Sequence, residues 1–273
     1  MGTSVARHAR LDRALEALPL FRLSDGGDDA AITFTTDEGG RWRVLPAPDE
    51  RLPGTFDQDV YVELMRRFQE AGSPEDGALT FTLHAFLRSM GRKVDGRTYV
   101  QLRSALARLE RTVLESDGAW WDAAAGEAPT TRFTLLSAVA IDRRRQTDVD
   151  QLALFPALAS NEPGEARVVI APQLRGNLSA GHHTTVVTAR YFALTSPVAR
   201  RLYRLLEARG LAPGAPWEVP LERLAEWLPL TQRFPSHLQR VLQPAHEMLL
   251  AAGLVTRATI APEGRAWTVR YER

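Results

Sequence analysis

The chain contains no cysteine among its 273 residues, which excludes a disulfide framework and any thiolate metal site. Lysine is almost as scarce: Lys93 stands alone, and the remaining positive side chains are arginines. No run approaches the roughly 18–20 uninterrupted apolar residues that a membrane-spanning helix needs. The opening stretch, MGTSVARHARLDRALEALPL, lacks the continuous apolar core of a secretory signal, so a cytoplasmic protein is expected. There is no G-x-x-x-x-G-K-[ST] loop to cradle a nucleotide phosphate and no G-x-S-x-G elbow to present a nucleophilic serine.

What is present is a polarised charge distribution. The formal net charge is only +1, but residues 84–112 carry seven basic groups against two acids, whereas residues 1–50 carry six against nine. A basic segment inside a neutral chain is the pattern expected of a polyanion-binding surface, although a codon bias toward arginine would produce the same shortage of lysine. The length suits two domains of roughly 100–150 residues each.

Periodicity and turn chemistry give a coarse order of elements. A short amphipathic stretch (6–18) precedes two extended segments, 31–35 and 42–45, which flank the turn Asp37-Glu38-Gly39-Gly40. Prolines 46, 48 and 53 then interrupt regular structure. A helix over 56–71 is followed by a short strand (79–82), a short helix (83–90) and a longer helix (95–113). Segments 119–121 and 132–142 are expected to pair as a hairpin, 146–165 reads as a loop, and strands at 168–170 and 184–188 are separated by a glycine-containing turn. The order then repeats. Ser196 and Pro197 open a helix closed by Gly210, followed by a short strand (217–219), a short helix (221–228), a longer helix (235–252) and a hairpin of 254–260 with 265–271. Helix, short strand, short helix, longer helix and hairpin is the order of a winged helix-turn-helix. The fold class expected is therefore α+β: an extension (1–55) containing β structure, then winged-helix domains at 56–190 and 191–273.

In such a unit the longer helix enters the major groove. On a helical wheel Arg97, Gln101, Ser104, Arg108 and Arg111 fall within about 40° of one direction, opposite Leu102, Leu106, Leu109 and Val113. Arginine pairs bidentately with guanine and glutamine with adenine, while Arg92, Lys93 and Thr98 stand at the helix entry, where phosphate contacts are common. An ordinary solvated helix face would show the same stripe. The second long helix sets Ser236, Gln239, Arg240 and Gln243 opposite Leu238, Leu242, Ala245 and Leu249, with Arg233 and His237 at its start. Pro244 interrupts its hydrogen bonding. The hairpin after it carries Arg257, Arg265 and Arg270, side chains suited to phosphate or to the minor groove.

Two stretches carry a family resemblance. SPVARRLYRLLEARG, followed by PSHLQRVLQPAHEMLLAAGLVTRATI, resembles the C-terminal winged helix of plasmid replication initiators, in which an R-L-Y helix (Arg201, Leu202, Tyr203) precedes a helix carrying V-L-x-P-A (Val241, Leu242, Pro244, Ala245). GALTFTLHAFLRSMGRKVDGRTYVQLRSALARLERTVLES is similar to the N-terminal unit of replication initiator protein A. The resemblance spans roughly residues 56–273, and Glu247-Met248 departs from the more basic pattern of that helix. It implies binding to double-stranded DNA at repeated origin sites (iterons), initiation of plasmid or secondary-replicon replication, dimerisation that can turn an initiator into a repressor, and a helicase or host initiator as partner. It also places the protein with the nucleoid or plasmid.

Against that reading stand a winged-helix transcription regulator, a protein-interaction module and a metal-dependent nuclease. Rolling-circle initiators need a His-hydrophobic-His metal site, whereas His182 and His183 are adjacent. Glu222 and Glu226 read as a solvated helix face. No catalytic residue, metal or cofactor is expected, and the chain is read as a DNA-binding protein without enzymatic activity.

Overall fold

The computed structural model describes residues 7–23, 30–141, 165–232, 234–264 and 266–273. The fold is mixed α+β, with four antiparallel sheets among the described residues. Strand β1 (His8–Asp12) runs into a single helical turn, α1 (Arg13–Glu16), at Asp12, whose carboxylate caps the backbone N–H groups of Ala14 and Leu15. The amphipathic opening stretch is therefore half strand and half helix. The hairpin β2 (Ile32–Thr35) and β3 (Arg41–Leu45) leads to α2 (Thr55–Glu70), β4 (Ala78–Thr82), α3 (Leu83–Ser89) and α4 (Gly96–Arg111). Strands β5 (Val113–Asp117), β6 (Thr130–Phe133), β7 (Leu136–Ile141) and β8 (Glu165–Ile170) come next, then α5 (Pro172–Ser179), β9 (His183–Val187) and α6 (Thr188–Ala193). The last stretch comprises α7 (Pro197–Arg209), β10 (Trp217–Pro220), α8 (Leu221–Trp227), α9 (Pro235–Ala251), β11 (Arg257–Glu263) and β12 (Ala266–Glu272).

The element order seen in the sequence recurs as a topology. Sheet β4-β8-β7 and sheet β10-β12-β11 share one arrangement, in which the strand after the first helix pairs with the last strand of the unit. The expected pairing of 119–121 with 132–142 is not formed. Trp120 is buried, donates its indole N–H to Asp12 Oδ2 at 3.0 Å and packs on the Phe133 ring, which removes 119–121 from any strand. Segment 132–142 is split instead: β6 pairs with β5, and β7 pairs with β8. The β5–β6 hairpin is inserted between α4 and β7 and joins the early hairpin in the sheet β2-β3-β5-β6. The turn expected between 170 and 184 is the helix α5, started by Pro172 and held by buried Leu174 and Asn177; Asn177 Nδ2 donates to both Asp12 oxygens. The expected loop lies, through residue 164, outside the described residues, and Glu165 already belongs to β8.

The centre of the molecule is polar in an unusual way. Helix α2 buries Asp57, Gln58, Asp59 and Glu63, each no more than 2% exposed. Buried charges must be paired, because each left alone costs several kcal/mol. Arg66 and Arg67 of α2 itself pair Glu63, and arginines from the surrounding elements serve the others. Arg108 of α4 donates to Asp57 at 3.0 and 2.8 Å, and Arg204 of α7 reaches Gln58 Oε1 at 3.0 Å and Glu16 Oε1 at 2.9 Å. Arg201 donates to the carbonyls of Glu16 and Leu18, at 2.9 Å each, and to the Glu16 carboxylate at 3.3 Å. Burial pushes the Arg201 pKa down to about 10 even beside that carboxylate. Asp59 accepts from Tyr191, Arg92 and Arg200.

Truncating Arg204 leaves Gln58 Oε1 buried without this donor and Glu16 with Arg201 as its remaining cation, 3.3 Å away. Arg204→Ala is expected to lower the free energy of urea unfolding by about 3–5 kcal/mol. A loss under about 1 kcal/mol would mean that Arg201 alone suffices for Glu16.

Candidate nucleic-acid interface

Helix α4 starts at a reciprocal cap. Thr98 N–H donates to Asp95 Oδ1 at 2.9 Å, and Asp95 N–H donates to Thr98 Oγ1 at 3.1 Å. The cap holds Asp95 ionised, its pKa lowered chiefly by the Thr98 backbone N–H. Leu102, Ala105, Leu106 and Leu109 of α4 face the core. The opposite face exposes Arg97, Gln101, Arg103 and Arg111, with Ser104 half-buried and Val100 exposed among them.

The basic stripe read from the sequence thus divides into two groups. Arg97 and Gln101 are open to solvent, and Lys93 is 85% exposed with Asp95 3.7 Å away. Arg108 is turned inward onto Asp57, Arg92 is tied to Asp59, and Arg111 to Glu50. Thr98 serves the cap. The pKa of Asp57 is raised because burial outweighs the Arg108 charge, so this pair is a packing element of the α2–α4 contact.

Helix α9 and strand β11 enclose a groove of about 560 Å³ lined by Ser236, Gln239, Arg240, Gln243, Ala258, Thr259 and Ile260. The four α9 residues singled out for their hydrogen-bonding side chains therefore converge in space. Gln243 Nε2 donates to Glu247 Oε1 at 2.9 Å, which fixes its amide. His237 is exposed against the edge of Phe234, itself 67% exposed at the helix start. Pro244 is exposed inside a helix that continues to Ala251, and it withholds from the Arg240 carbonyl the amide of the normal helical bond. On the hairpin, Arg257 lies 3.7 Å from Glu272, while Arg270 is held by Glu218 at 3.0 Å and Glu272 at 2.7 Å. Arg233 and Arg265 lie outside the described residues. The helix is locked to the hairpin from behind by buried His246, whose Nε2 is 2.8 Å from Tyr271 Oη; burial pushes its pKa down to about 4.

The R-L-Y stretch has a role that sequence reading did not assign. Val198, Arg201, Leu202 and Leu205 follow the spacing of one apolar helix face, so Arg201 belongs to the buried side of α7. That register was the available signal. Arg201 holds the α1 carbonyls, Leu202 enters the core, and Tyr203 Oη accepts from the Val187 N–H at 3.1 Å. Among the described residues no three His, Asp or Glu side chains gather where a metal could be held, and no helix is long and apolar enough to cross a membrane.

The geometry defines an α+β protein in which two units of like topology are joined through buried arginines. The chain belongs to the replication initiator protein A family, whose pattern it matches over residues 10–228. A protein of Wigglesworthia glossinidia brevipalpis named for replication is 29% identical over 103 residues, a stretch that makes up 36% of each chain. Two crystal structures of domains 2 and 3 of RctB share the fold at 12% identity. One has a TM-score of 0.60 and covers 95% of this chain and 96% of its own; the other has a TM-score of 0.54 and covers 95% of each.

Two expectations follow. Arg97→Ala should change the unfolding free energy by less than about 0.5 kcal/mol, whereas Arg108→Ala should cost about 2–4 kcal/mol through the unpaired Asp57. Equal costs in urea titrations would contradict the division of the stripe. For His246 the folded chain resists protonation until about pH 4, while the unfolded chain takes the proton near 6.5. The stability it contributes is complete above pH 6.5 and is lost as pH falls toward 4, by on the order of 3 kcal/mol. His246→Gln should flatten that part of the stability–pH curve; a curve identical to the parent's would show that His246 titrates normally.

Proposed function

We propose that the chain binds double-stranded DNA at a replication origin made of repeated sites and initiates replication of a plasmid or secondary replicon. In this reading the two like units are tandem winged helix-turn-helix modules. Helix α9 and the β11–β12 wing read base edges, and the open face of α4 contacts phosphate. The observation that carries the reading is the α9–β11 groove, where Ser236, Gln239, Arg240 and Gln243 present donors and acceptors of the kinds that match adenine, guanine and phosphate. Family membership supports the replication role. The chain acts by binding, without catalysis of its own; melting and helicase loading fall to partners, and dimerisation of the free protein serves as a brake on initiation and represses its own gene.

The test is binding to the DNA flanking the gene, followed by fluorescence anisotropy against salt. Direct repeats spaced by about two helical turns should bind with a steep salt slope. Gln239→Ala with Gln243→Ala should cut the preference for repeat over scrambled duplex by roughly 10–100-fold while leaving the salt slope in place. Arg97→Ala with Arg103→Ala should lower affinity for both duplexes and reduce the slope by about one per phosphate contact. A single palindromic site at a promoter would instead mark a transcription regulator, and no duplex binding at low salt would sink the proposal.

A further inference from the structure

A second concavity lies away from the α9 groove. It has a volume of about 550 Å³ and is bounded by α2, the turn between α3 and α4, and the α6–α7 segment. Its walls include Arg7, Arg66, Arg92 and Arg200 together with one acid, Glu63, and Phe192. Arg66 and Arg200 are only 5% and 11% exposed, so they form a poorly hydrated cationic floor, while Arg92 and Arg7, at 38% and 68%, stand at the rim.

The local charge does not balance. Arg7, Arg66, Arg67, Arg92 and Arg200 share three carboxylates, Asp59, Glu63 and Glu70. Asp59 alone serves both Arg92 and Arg200, and also accepts from the Tyr191 hydroxyl at 2.9 Å. Glu63 serves both Arg66 and Arg67. Arg7 reaches Glu70 only at 3.8 Å. Among the described residues, Arg92 gives Asp59 a single nitrogen, Nη2, at 2.6 Å; its guanidinium lies 5.6 Å from the centre of the Phe56 ring, and its side chain is 38% exposed. An excess of guanidinium over carboxylate in a partly enclosed cavity is strongly attractive to an anion, because the low local dielectric magnifies the attraction. The planar fork of Arg92 suits a tetrahedral oxyanion, to which two parallel N–H bonds can be made, while Arg200, which already donates Nε to the Leu194 carbonyl at 2.7 Å, Nη1 to Asp59 and Nη2 to the Phe192 carbonyl at 3.4 Å, adds charge rather than a free fork.

We propose that this cavity binds a phosphate group, held by Arg92 and Arg7 over the cationic floor of Arg66 and Arg200. The phosphate comes either from the DNA backbone or from a free phosphate compound such as a nucleotide, for which the volume is sufficient. Because the walls come from α2 and the α3–α4 turn on one side and from α6–α7 on the other, the bound anion bridges the two units.

The test uses the full chain and inorganic phosphate as probe. Thermal unfolding is followed against phosphate concentration, with chloride at equal ionic strength as control. A saturable rise in Tm of about 3–5 °C at ten times the Kd is expected, absent with chloride. Arg92→Gln and, separately, Arg7→Gln should each weaken the phosphate dependence at least tenfold; Arg7 makes one long ion pair, so its variant remains informative if Arg92→Gln folds poorly. No phosphate-specific rise, or an undiminished one in Arg7→Gln and in any folded Arg92→Gln, overturns the site. Duplex binding then identifies the source. If saturating phosphate competes with duplex in the parent but not in Arg7→Gln, the site takes a backbone phosphate. If duplex affinity is unchanged, it takes a free phosphate compound. Duplex binding through the α9 groove is scored without phosphate, so failure of the anion site and failure of the DNA reading give different results.

Discussion

The constraint on which the structure depends is the solvation of the acids on α2. A helix that buries Asp57 and Asp59 cannot remain where it is unless cations come to it, and these are carried by α4, α7 and the α3–α4 turn, whereas Glu63 is paired within the helix by Arg66 and Arg67. Exchanging such clusters for apolar side chains often leaves stability unchanged or improves it, whereas removing one partner is severe. The cluster therefore acts less as a source of stability than as a specification: it permits one docking of α7 on α2 and α1. Because α4 is tied to α2 by Arg108 and α9 packs on α7, the two candidate DNA-facing helices are referred to one charged centre.

The same residue type performs two unrelated tasks in this chain. Arginine on a helix face in a basic segment reads as a nucleic-acid contact, and for Arg97 the open position is compatible with that. For Arg108 and Arg111 the guanidinium is committed to a carboxylate 51 and 61 residues away in sequence, and Arg92 spends one nitrogen on a carboxylate 33 residues away. Charge runs therefore overstate the surface available to a polyanion, and polarity at a position says little until the location of the opposite charge is known.

What the sequence made legible follows from range. Helices α2, α4, α7 and α9 fall within one or two residues of their expected limits, because periodicity, caps and the Ser196-Pro197 and Gly210 signals act locally. The convergence of Ser236, Gln239, Arg240 and Gln243 was legible for the same reason: they share a helix face. The β5–β6 pairing was misread because Trp120, which looked extended, is claimed by Asp12 from 108 residues away. Helix α5 was missed because its short apolar pattern carries little signal, and its anchor, Asn177, acts through Asp12 165 residues earlier. The Arg201 register was visible in α7, but its partner Glu16 was not, since nothing local marks a buried acid in the first helical turn of the chain.

Strand β1 has a temporal consequence as well as a spatial one. Its partner is β9, with His8 opposite Val187, and α1 is fastened by Arg201 across 185 residues. Closing loops of that length slows folding far more than it weakens the final state. During synthesis the first units of structure wait for most of the chain to emerge, holding Glu16, Gln58 and Asp59 without their α7 partners. An amino-terminal fragment that stops short of α7 would retain those groups in the same unsatisfied condition, so the first unit is not a module that can be cut out and expected to stand alone. The arginine contacts that join α7 to α1 and α2 also make the early part of the chain depend on the late part to become native.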